Sequence, residues 1–102
     1  MSQYILQVDF PFAGPFGAAM SEVMRGLAED IATEEGLLWK IWTEDLEGQQ
    51  AGGVYLFSNK ADAERYLAKH SARLTAAGVS DIRGCILAVN QPLSQINRAP
   101  LG

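Results

Sequence analysis

Residues 37–57 read LLWKIWTEDLEGQQAGGVYLF: two β-forming runs on either side of a polar turn. Leu37 to Glu44 carries Trp39, Ile41, Trp42 and Thr43, Leu46 to Gln50 supplies the turn, and Gly53 to Phe57 returns close enough to form a hairpin. Upstream, Tyr4, Leu6, Val8 and Phe10 alternate with Ile5, Gln7 and Asp9, the period of two of a strand with one face on a core. Pro11 and the pair Gly14-Pro15 break that strand. Phe16, Met20, Val23, Met24, Leu27 and Ile31 then recur mostly at steps of three and four, which predicts a helix from Pro15 to Thr33 with Gly36 beyond it as terminator. Downstream, Ser58 or Asn59 is suited to cap a second helix bearing Ala63, Tyr66, Leu67, His70 and Leu74 on one face. Gly78 closes it, and Asp81 to Asn90 alternates as a fourth strand. The order βαββαβ is that of the α+β ferredoxin-like fold, in which two helices cover one face of a four-stranded antiparallel sheet.

A chain of 102 residues fits one domain, 1–102, with 48% hydrophobic and 20% charged residues, enough apolar material for a core. Residues 91–102 hold Pro92 and Pro100 among Leu93, Ile96 and Leu101, so they are expected to be a C-terminal extension docking on a partner subunit rather than a long helix. Eight basic against 12 acidic side chains give a formal net charge of -4, which disfavours a nucleic-acid surface. One cysteine, Cys85, can form no internal disulfide and points to a reducing compartment. No apolar run approaches the roughly 20 residues of a membrane span, and a cytoplasmic protein is expected.

Helices on one side of such a sheet leave the other side facing water unless something covers it. Grouping strand residues by parity puts Leu6, Val8, Trp39, Ile41, Val54, Leu56, Ile82 and Ile86 on one face. Ile5, Lys40, Trp42, Tyr55, Phe57, Cys85, Leu87 and Val89 fall on the other. Both sets are apolar. The second is therefore expected to be covered by a second copy of the chain, with Gln7, Asp9, Lys40 and Arg83 lining or rimming an enclosed space between sheets.

The chain has no phosphate-binding glycine loop, no paired cysteines and a single histidine, so no metal constellation is expected. His70 and Arg73 lie one helical turn apart and could present a proton acceptor and a fixed cation to a pocket. Lys40, if covered, must find a counter-charge such as Asp9 or Glu44, or a ligand anion, because burying a lone ammonium costs several kcal/mol.

The blocks Gly14-Pro15-Phe16-Gly17, Leu38-Trp39-Lys40-Ile41-Trp42-Thr43-Glu44, Ala51-Gly52-Gly53-Val54-Tyr55-Leu56-Phe57, Lys69-His70-Ser71-Ala72-Arg73-Leu74 and Asn90-Gln91-Pro92-Leu93-Ser94-Gln95-Ile96-Asn97 resemble the YdhR family, whose members carry the name monooxygenase. The resemblance spans nearly the whole chain. It implies a homodimeric α+β barrel, similar to small oxygenases that act on aromatic substrates without metal or flavin, and hence no cofactor. Under it, Trp42, Tyr55 and Phe57, with Trp39, Gln7 and Asp9, bind a phenol- or hydroquinone-type ring. Lys40 or Arg73 then stabilises its anion, and His70 accepts the phenolic proton. A non-catalytic aromatic-binding dimer uses the same wall and is the alternative; haem degradation is a more distant one, since haem-degrading relatives are similar in having a third-strand tryptophan that this chain lacks.

Overall fold

The computed structural model describes residues 2–102. Its elements are β1 (Tyr4–Pro11), α1 (Gly17–Val23), α2 (Arg25–Ile31), β2 (Leu37–Asp45), β3 (Gln50–Phe57), α3 (Lys60–Ala76), β4 (Arg83–Ala88) and α4 (Gln91–Ile96). The four strands form one antiparallel sheet in the order β2-β3-β1-β4, which is the expected ferredoxin-like α+β arrangement. The first helix is divided, because Met24 leaves helical geometry at ψ 2°. Hydrogen bonds from Met24 N to Met20 O and from Ala28 N to Met24 O carry the stripe across the break, so it bends without ending. Helix α3 starts where Asn59 accepts a bond from Asp62 N at 2.8 Å. Among the described residues no helix is long and apolar enough to cross a membrane.

Register decides which side chains meet the helices. Tyr55 stands opposite Leu6 on one side and Lys40 on the other, while Gly53 stands opposite Val8 and Trp42. Directly opposed residues share a face. Lys40, Trp42, Tyr55 and Phe57 therefore join Leu6, Val8 and Phe10 under the helices, whereas Trp39, Ile41, Val54 and Leu56 join Ile5, Gln7, Asp9, Cys85 and Leu87 on the helix-free face. This reverses the expected parity for β2 and β3, so Lys40 does not face a space between two sheets. Residues 54–57 are apolar without interruption and offer no alternation to fix which parity points inward. The irregularity of register lies in β2, between Leu37 and Trp39, and not at the glycines of β3.

The core packs Leu6, Val8, Phe57 and Tyr55 against Ile31, Ala63, Tyr66 and Leu74. On the opposite face Leu56 is 0% exposed, and the chain's own C-terminal segment is tied to that side of the sheet beside it, at Trp39. Asn90 caps α4 by accepting from Leu93 N, and the chain then turns back. Trp39 Nε1 donates to Pro100 O at 2.7 Å, Gln3 Nε2 donates to Leu101 O at 2.8 Å, and Leu101 is buried. Within one chain the C-terminal extension packs on its own sheet. Roofing is partial: Ile41 is 54% and Leu87 48% exposed.

Leu101→Ala should lower stability in urea unfolding by about 2 kcal/mol, the lower end for a truncated buried leucine. An unchanged midpoint would mean that residue 101 does not seal this face.

Candidate functional site

The sheet under the helices is hollow where its side chains are small. Ala51 and Gly53 follow one another on the inner face of β3, and a methyl group placed on Gly53 would lie 2.7 Å from Lys40 Cε. The glycine lets the lysine stem lie flat on the strand. Above this floor, α1, the Met24 break and α2 contribute Met20, Met24 and Leu27, and α3 contributes His70, Arg73 and Leu74. Between them lies a cavity of about 250 Å³, also bordered by Phe10, Phe12, Trp42 and Tyr55. Its walls are overwhelmingly apolar. The ionisable side chains among its lining are Lys40, Tyr55, His70 and Arg73, with no carboxylate among them.

Helical spacing brings the polar group together. Tyr66, His70, Arg73 and Leu74 lie on one face of α3 at steps of three and four. His70 is 4% exposed and stacks on Tyr66 with ring centres 5.1 Å apart and planes 18° apart. Tyr66 donates its hydroxyl hydrogen to the Tyr55 oxygen at 3.2 Å. Arg73 Nη2 is 2.9 Å from His70 Nδ1, and Nη1 pairs with Asp30 Oδ2 of α2 at 3.0 Å. Arg73 Nε is buried and has no hydrogen-bond partner among the described residues.

Among the described residues no carboxylate pairs with Lys40. Asp9 is engaged by Arg83, with Nε donating to Oδ1 at 2.6 Å, and Glu44 Oε1 accepts from Gly17 N at 2.7 Å. The ammonium lies instead 3.5 Å from the centre of the Trp42 ring and 4.7 Å from that of Tyr55, where the negative ring faces attract it. Burial, aided by the nearby Arg73 charge, lowers the Lys40 pKa to about 7. Burial, with the charges of Lys40 and Arg73, lowers that of His70 to about 4, so the imidazole is neutral at neutral pH. Burial raises that of Tyr55, which keeps its proton.

Of the residues singled out from sequence, Lys40, Trp42, Tyr55, His70 and Arg73 meet at this cavity. Phe57 lies in the core behind Tyr55, with ring centres 6.2 Å apart, and does not border it. Trp39, Gln7 and Asp9 are on the far side of the sheet. Tyr66 and Asp30, which orient the polar group, were not singled out as site residues. Tyr66 was marked by its place on the His70 face of the helix, whereas nothing in sequence ties Asp30 to Arg73. Among the described residues no group of three or more His, Cys, Asp or Glu is placed to hold a metal. Cys85 is exposed and unpaired, away from the cavity.

A family model described as "Putative mono-oxygenase ydhR" matches residues 5–100. Among solved structures, a protein of unknown function from Nitrosomonas europaea superposes with a TM-score of 0.66 at 17% identity, covering 88% of this chain and 91% of that one. A protein titled a putative antibiotic biosynthesis monooxygenase, from Deinococcus radiodurans, superposes with a TM-score of 0.58 at 17% identity, covering 86% and 93%. At that identity the likeness shows the fold alone. No curated protein matches.

The depressed Lys40 pKa carries a stability consequence. From pH about 7 up to the ordinary value of 10.5 the unfolded chain binds the proton more readily, so stability rises with pH across that window. At neutral pH and below, the full cost of burying the charge is present. Lys40→Met should therefore stabilise the protein at neutral pH by about 1–3 kcal/mol, with the gain shrinking toward alkaline pH. Urea unfolding at several pH values reads this directly, and a destabilised variant would contradict it.

Proposed function

The chain belongs to the YdhR family, and on that premise we propose that it is a monooxygenase acting on an electron-rich aromatic small molecule, of phenol or hydroquinone type, bound in the Lys40–His70–Arg73 cavity. The observation carrying this reading is the lining: an apolar hollow with two cationic side chains, a neutral imidazole and no carboxylate. Such a hollow favours a flat apolar body with one oxygen that can become negative. Trp42, Phe10, Phe12 and the methionines of α1 and α2 hold the ring. Arg73 Nε and Lys40 meet the oxygen.

Ground-state oxygen reacts slowly with ordinary molecules, and a flavin, haem or metal commonly overcomes this. An electron-rich phenolate can supply the electrons instead, which is the cofactor-independent form proposed here. A hydroquinone and one O₂ then give a hydroxyquinone and water. One oxygen atom forms the new carbon–oxygen bond, the other leaves as water with two of the substrate's hydrogens, and the substrate provides all the electrons. The protein's part is to bind the ring, favour its anion and exclude water.

The assembly proposed for this activity is a homodimer through the helix-free face. Ile41 and Leu87 remain about half exposed there beside Val54, and a second copy would bury them. The lone cysteine fits a reducing, cytoplasmic setting.

Incubation with a hydroquinone panel under isotopically labelled oxygen should place one labelled atom in the product, with no product formed anaerobically. Equal rates without oxygen would contradict the reaction, and binding without turnover would leave an aromatic-binding protein. Sedimentation equilibrium should give twice the chain mass of 11.1 kDa, and a monomer would contradict the assembly.

A further inference from the structure

Resting on that reading, and deepening it, we propose that Lys40 rather than His70 takes the proton from the phenolic hydroxyl, and that His70 serves the same oxygen only as a hydrogen-bond donor. The geometry of His70 excludes the role expected of it. A guanidinium has hydrogens to give and no lone pair to offer, so the 2.9 Å contact between Arg73 Nη2 and His70 Nδ1 requires Nδ1 to be the acceptor. Asp30 holds Arg73 in that position from α2. The proton of the neutral ring is then on Nε2. With one nitrogen occupied and the other protonated, His70 has no lone pair left for a substrate proton.

Lys40 is placed differently. Its Nζ lies over Trp42 and Tyr55 and pairs with no carboxylate among the described residues, so the amine, once deprotonated, has a lone pair that no ion pair occupies, on a side chain that borders the hollow. The ionisable groups sharing the cavity with it are Tyr55 from β3 and His70 and Arg73 from α3, while the α1–α2 unit presents the apolar Met20, Met24 and Leu27 there and Ala28, Ile31 and Ala32 on the other side of the lysine. Tyr55 retains its own proton, and a guanidinium has no lone pair with which to accept one. Lys40 titrates near neutrality, which makes both of its forms available there. The step is a plain proton transfer: the phenol O–H bond breaks, an N–H bond forms on Lys40, and the electron pair left on oxygen makes the phenolate. The new ammonium is then the phenolate's counter-ion. One residue thus acts as base and as anion stabiliser, and the lack of a carboxylate beside it is what permits this.

The test uses para-cyanophenol, which is too electron-poor to serve as a substrate and whose phenolate has its own absorption band. It is titrated into the folded protein at about pH 7, where free phenols of this kind are mostly un-ionised. Proton release is followed by calorimetry in buffers of different ionisation heat. Wild type should show the phenolate band with fewer protons released than phenolate formed, the remainder being held on Lys40. Lys40→Met should bind the probe without the band. Lys40→Arg, which keeps the charge but cannot accept a proton, should show the band with one proton released per phenolate. His70→Gln should keep the wild-type band and proton count. The proposal is overturned if the band persists in Lys40→Met, if it disappears in His70→Gln, or if wild type releases a full proton per phenolate. Failure of wild type to bind the probe at all would overturn the aromatic cavity itself, and this inference with it.

Discussion

An ammonium group held against two aromatic rings, with no carboxylate to neutralise it, is the constraint on which this structure turns. Removing a charge from water is expensive unless a partner compensates, and aromatic faces compensate only in part. A chain with 12 acidic residues could readily have supplied a counter-ion. The carboxylates nearest in sequence or space are engaged elsewhere: Asp9 by Arg83, Glu44 by the start of α1, and Asp30 by the outer edge of Arg73. The cavity is left electropositive within an acidic protein.

The rest of the fold can be understood as the frame that keeps this arrangement in place. Gly53 lets the lysine stem lie along the strand, and Ala51 beside it keeps the floor open. Helix α3 stacks its inner-face residues so that Tyr66 supports the His70 ring and Arg73 closes over its Nδ1. The bent α1–α2 unit supplies flexible methionines over the opening, side chains suited to moulding around a flat ligand. On the far side of the sheet the C-terminal segment is tied down by backbone carbonyls of Pro100 and Leu101, which accept from Trp39 and Gln3, away from the cavity.

Much of this was legible in the sequence. The element order followed from alternation in Tyr4–Phe10, the three-and-four spacing of Phe16 to Ile31, and the caps at Asn59 and Gly78. Their physical causes are local. The pairing of Lys40, His70 and Arg73 with an aromatic wall was also within reach, since each is conspicuous by type. The face they share was not. Val54 to Phe57 is apolar at every position, so sequence holds no preference for which parity faces the helices, and that choice is made by the register with β1. The tail was opaque for a related reason: scattered apolar residues show that a segment will dock, and only the three-dimensional chain shows on what. The contact of His70 Nδ1 with Arg73 is one that helical spacing makes available but does not orient.

The central claim is that the Lys40 amine is desolvated and unpaired in the folded protein. Following the Lys40 side-chain resonances by NMR across a pH titration of the folded protein measures this without reference to any ligand. A midpoint near 7 is the result this account predicts. A midpoint at the ordinary lysine value of 10.5 would mean that the ammonium is hydrated or paired, and would contradict it.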